Sequence, residues 1–165
     1  MAMNALVDSI AAQEEALIFD RWDEEMAWRI GSRIREWAVA GDWPIVIDIR
    51  LFHRPLFFVA LPGSTPDNVD WARRKANVVE RYHKSTYRMG RELAAKQDTL
   101  ANRYGLPLRD FADHGGGFPI RLRDTGVIGA IIVSGLAQHE DHMLIVRVLC
   151  EILGRDSAAL PLAAA

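Results

Sequence analysis

His114–His142, HGGGFPIRLRDTGVIGAIIVSGLAQHEDH, decides how the rest of the chain is read. GFPIRLR alternates Phe118, Ile120 and Leu122 with Pro119, Arg121 and Arg123, the pattern of a strand with one buried and one wet face. Asp124-Thr125-Gly126 turns the chain. VIGAIIVS is apolar at odd and even positions alike, which predicts a central strand covered on both faces. Gln138 to Leu153 then reads as a closing helix. A sheet covered on both faces needs helices on each side.

Outward from that segment, the earlier sequence supplies those helices and a second strand pair. Residues 4 to 15 carry a short amphipathic pattern. Trp22, Met26, Ile30, Ile34 and Trp37 recur every three or four residues and predict a helix that ends near Gly41 and packs on the sheet. Trp28 projects off that stripe, which marks it for cover by another subunit. PIVIDIRLF and PLFFVAL, parted by His53, Arg54 and Pro55, read as two antiparallel strands. Thr65 as N-cap, Pro66 at the first helical position and Asp67 in the first turn start a helix reaching Tyr82 or His83. Ser85 and Thr86 begin another through Ala95, and the residues around Gly105 and Pro107 read as loop. The order predicts one α+β domain over residues 1–165, an antiparallel sheet flanked by helices, with 156–165 as a frayed tail.

Composition narrows the function. Twenty basic residues stand against 22 acidic, a formal net charge of −2, so no general field draws the chain to nucleic acid or an anionic membrane surface. No run is long enough to span a bilayer, and the N-terminus lacks the basic start and apolar core of a signal peptide. The single cysteine, Cys150, excludes an internal disulfide and fits a reducing cytoplasm.

Polar residues on apolar stripes are the candidates for chemistry. In the helix from Pro66, Trp71, Val78 and Tyr82 share a stripe, with Lys75 in its middle and Asn68 beside it. Lys75 either snorkels to water or points into a pocket as an anion partner, helped by Arg73 or Arg74. His142 projects among Ile145, Val146, Leu149 and Leu153, with His139 one turn before it. It is either a satisfied core residue or an acid-base or haem group. The pair at i and i+3 lacks a third ligand at any established spacing, so no metal is assigned. Glu140 and Asp141 read as complements of the helix N-terminus. His114 and the amides of Gly115, Gly116 and Gly117 form a candidate anion nest or oxyanion hole, and Ser134-Gly135 a second set of donors. The alternative for that loop is a β-bulge before a capped helix. No Gly-x-Ser-x-Gly elbow accompanies it.

DNVDWARRKANVVERYHKSTYRMG (Asp67 to Gly90) and the His114–His142 segment together resemble the haem-degrading-domain superfamily, the group of HbpS, GlcG and the PduO C-terminal domain, and most closely its UPF-type branch. The resemblance spans nearly the whole chain. It implies a profilin-like fold and assembly into homo-oligomers, and relatives bind haem or corrinoids, but it carries over no catalytic residue set and no haem ligand. The residues and the resemblance together predict a cytoplasmic, homo-oligomeric small-ligand-binding protein. Its ligand would be haem, another tetrapyrrole or a small anion, held by Lys75, His114, Gly115, Gly116, Gly117, Ser134, Gly135 and His142. An enzyme on a small carboxylated or phosphorylated substrate and an oligomeric adaptor are the alternatives.

Overall fold

The computed structural model describes residues 2–164 and contains six helices and a four-stranded antiparallel sheet. In chain order these are α1 (Ala2–Ala16), α2 (Glu24–Ala40), β1 (Val46–Leu51), β2 (Arg54–Ala60), α3 (Pro66–Tyr82), α4 (Thr86–Ala95), α5 (Leu100–Tyr104), β3 (Gly117–Leu122), β4 (Gly126–Ser134) and α6 (Gln138–Leu153). Two hairpins meet through β1 and β4, giving the order β2-β1-β4-β3. The expected α+β class and central position of β4 are both found.

Side-chain alternation divides the two faces. Ile47 and Ile49 of β1, with Ile131 and Val133 of β4, enter a core with Ile30 and Ile34 of α2 and Ile145 and Leu149 of α6. Val46, Ala130 and Ile132 point the other way, against Ala72, Ala76 and Val79 of α3. The three alanines at this second interface let α3 lie close to the sheet, which carries Lys75 to the end of β4.

Local chemistry sets the ends of the elements. Asn68 Oδ1 accepts from Thr65 N at 2.8 Å at the start of α3, and His83 ends that helix at φ +54. Ser85 caps α4 by accepting from Arg88 N, and its own amide donates to the buried Glu14 of α1 at 2.7 Å.

Two expectations are corrected. The stretch read as loop before Pro107 contains α5, capped by Thr99 and Gly105 and too short, with only Leu100 buried, to show a period. The segment read as a frayed tail makes a single 3-10 turn at Ser157–Ala159, and Leu160 and Leu162 pack back on the body. It is tied there because Gln13 Nε2 donates to Leu160 O at 2.8 Å and Ala163 N to Ser9 Oγ at 3.1 Å. No described helix is long and apolar enough to cross a membrane.

Candidate functional site

Three chain segments converge where β4 ends. Lys75 comes from α3; His114 and Gly115 come from the loop before β3; Ser134, Gly135 and Leu136 lead into α6, whose first turns add Gln138 and Asp141. Between them lies a cleft of about 210 Å³, closed on the α3 side by Asn68 and Trp71. The loop is pinned by Val133 N donating to Gly116 O at 2.8 Å and Gly117 N donating to Thr86 Oγ1 at 2.9 Å.

A buried ion pair forms the floor. Lys75 and Asp141 are 3% and 2% exposed, and Lys75 Nζ donates to Asp141 Oδ2 at 3.1 Å and to Val133 O at 2.9 Å. An ammonium has three protons, and these contacts use two. Asp141 also accepts from Leu136 N at 3.0 Å and Gly135 N at 3.3 Å. Burial pushes the Lys75 ammonium down and the Asp141 carboxyl up, each partly offset by the other's charge.

His114 stands at the rim with its side chain 56% exposed, edge-on to Trp71 at 4.9 Å between ring centroids. The Arg74 guanidinium lies 4.0 Å from the Trp71 ring centroid and fixes that ring. Burial chiefly lowers the His114 pKa; Asp113 opposes the shift, and the charges of Lys75, Arg74 and Arg91 add to it. Three cations and one carboxylate therefore act on this imidazole.

Of the eight residues expected at the site, Lys75, His114, Gly115, Ser134 and Gly135 line the cleft. Gly116 and Gly117 do not. Gly116 sits at φ +113, and a Cβ there would come within 2.2 Å of Val133 O and 2.7 Å of Lys75 Nζ. Gly116 thus admits β4 and the Lys75 side chain to the loop, Gly117 admits Thr86 of α4, and the Gly117 amide is already engaged by Thr86. Of the second expected set of donors, Ser134-Gly135, the Gly135 amide is taken by the protein's own Asp141, which also takes the Leu136 amide.

His142 is also absent from the lining. It is fully buried beside Tyr87 and Phe118, with Nε2 2.8 Å from Gln13 Oε1. Because the Gln13 amide nitrogen donates to Leu160 O, its oxygen faces the ring, which makes His142 the donor through Nε2. Nδ1 has no partner among the described residues, and burial lowers the pKa to about 3. His139 faces a separate hollow with Trp43, Met143 and Arg147, so the two histidines do not converge. Among the described residues no group of three or more His, Cys, Asp or Glu side chains could hold a metal ion.

Asp141 lies in the first turn of α6, as expected of a complement to the helix N-terminus, and in addition pairs with Lys75, which the sequence reading did not foresee. The available signal was Lys75 itself: a lysine on an apolar stripe needs a counter-charge, and few carboxylates lie near a buried position. Gln138 and Leu136 carried no signal.

The sequence profile of the family described as haem degrading protein HbpS-like matches residues 23–149. A UPF0303 protein of Acidobacterium capsulatum is 51% identical over 153 residues, covering 93% of each chain. One from Paraburkholderia phymatum is 50% identical over 159 residues, covering 96% of each. Among solved structures, Ybr137w superposes with a TM-score of 0.81 at 27% identity, over 90% of this chain and 87% of that one. PduOC in complex with haem superposes at 0.66 and 16% identity, over 78% and 93%, a likeness of fold.

Proposed function

Given that the chain belongs to the haem degrading protein HbpS-like family, we propose that it is a small-ligand-binding protein whose cleft between Lys75 and His114 receives a carboxylate. The observation that carries this reading is the buried Lys75 ammonium with a proton to spare at the wall of a cleft, in the field of Arg74 and Arg91. A charge-assisted bond to a carboxylate in such a place is stronger than a neutral one.

Size decides how much of a ligand enters. The cleft measures about 210 Å³, below the roughly 300–1,000 Å³ of pockets that enclose drug-sized ligands. A whole tetrapyrrole does not fit inside it, and His142, sealed in the core, is not open to ligate iron. Haem, which PduOC binds, would reach this cleft through a propionate arm, with the ring outside.

Titration separates these parts. Haemin is expected to give a Soret shift that weakens about tenfold or more for Lys75→Met and His114→Ala, and for haemin with both propionates esterified; oxalate should compete. Haemin binding indifferent to esterification and to both substitutions would sink the reading.

The proposal includes a homo-oligomer in the cytoplasm. A lone buried cysteine supports the compartment. Trp28 and Phe58, 60% and 51% exposed, support the assembly. Light scattering at micromolar concentration should return a mass well above 18.5 kDa; a monomer would contradict the assembly.

A further inference from the structure

Lysine is scarce in this chain: of 20 basic residues, 17 are arginine and the lysines are Lys75, Lys84 and Lys96. Lys84 pairs with Glu92 at 2.7 Å near the surface, and Lys96 is exposed. Lys75 alone is interior, and it is the one whose amine meets a cleft. A guanidinium stays protonated in a protein, whereas an amine that loses a proton becomes a nucleophile. Stability does not account for the pair, because apolar residues of equal volume often hold a core as well as a buried ion pair does.

We infer that Lys75 captures a small carbonyl compound, a 2-oxo acid, as an imine, with Asp141 as its proton partner. This deepens the ligand-site reading above and rests on it. Asp141 Oδ2, 3.1 Å from Nζ, takes one ammonium proton. The freed lone pair forms a bond to the carbonyl carbon. The carbonyl oxygen gains a proton as the new nitrogen loses one, giving a carbinolamine. Asp141 returns its proton to that hydroxyl, which leaves as water, and an iminium remains paired with the Asp141 carboxylate. No electrons are exchanged with any co-reactant.

The surroundings fit each step. The amides of Gly135 and Leu136 hold the Asp141 carboxylate in place while its proton comes and goes. The downward pull of burial on Lys75 and its upward pull on Asp141 ease the first transfer. The small cleft admits a molecule of a few heavy atoms, and Asn68, His114 and Gln138 remain to meet its carboxylate.

The test uses the wild-type protein. Incubation with pyruvate and sodium cyanoborohydride, followed by peptide mass mapping, should place a carboxyethyl group on Lys75 with about tenfold or greater preference over Lys84 and Lys96. Asp141→Asn should cut that labelling several-fold while leaving the other two lysines unchanged. No adduct, or label spread evenly over the three lysines, overturns the inference. Calorimetry with pyruvate on the same sample locates the failure. Binding without an adduct leaves the ligand site standing and removes the imine, whereas neither binding nor adduct removes both.

Discussion

Gly116→Ala should cost about 3–5 kcal/mol of unfolding free energy, a large share of the roughly 5–15 kcal/mol that holds a domain of this size. Two effects combine at this position. The residue lies at φ +113, a backbone conformation that side chains rarely adopt, and its Cβ would press on the Val133 carbonyl at 2.2 Å. That carbonyl is fixed in β4 and also accepts from Lys75 Nζ, so it cannot yield without disturbing the ion pair. Gly105 supplies the contrast. It too has a positive φ, +66, but nothing lies within 4 Å of its Cβ, so Gly105→Ala should cost only about 1 kcal/mol. Urea unfolding of both variants checks the account, and equal losses would mean that close packing of the loop is not what the glycine serves.

Acid should weaken the protein through His142. Its folded pKa, about 3, lies below the ordinary 6.5 that it regains on unfolding. The unfolded state therefore binds the proton more readily, and stability falls as pH drops below 6.5. The slope approaches about 1.4 kcal/mol per pH unit and accumulates to roughly 4 kcal/mol by pH 3. His114, also lowered, acts in the same direction. Asp48 and Asp141, whose carboxyls burial pushes up, act against it as they take up protons. Comparing wild type with His142→Gln isolates the imidazole. Between pH 6.5 and 5 the wild type should lose stability faster by about 1 kcal/mol per pH unit, and parallel curves would contradict a sealed, neutral His142.

Much of this was legible in the sequence where one physical rule acted alone. Apolar residues at both parities placed β4 at the centre of the sheet, and Thr65 with Pro66 and Asp67 marked the start of α3. Lys75 stood out as the one charged residue in the middle of the Trp71, Val78 and Tyr82 stripe. Reading stopped where the reason was a contact between distant segments. The triple glycine suggested amide donors, yet each position also has a neighbour too close for a Cβ: Gln138 O of α6 at Gly115, Val133 O of β4 at Gly116 and Thr86 of α4 at Gly117. His142 and Lys75 look alike as polar residues on apolar stripes, but α1 and the C-terminal segment cover His142 with Gln13, whereas Lys75 borders the cleft. Asp141, 66 positions after Lys75, could be paired with it only once the chain between them had folded. The final segment shows no period because its leucines are used singly, one on each of two hydrophobic clusters.

The central claim is that the cleft between Lys75 and His114 takes a small carboxylate. A crystal structure of the protein soaked in pyruvate tests it most directly. The account predicts the ligand within bonding or hydrogen-bonding reach of Lys75 Nζ, with its carboxylate toward His114. Pyruvate bound elsewhere, with Lys75 still held by Asp141 and Val133 as in the free protein, would contradict it.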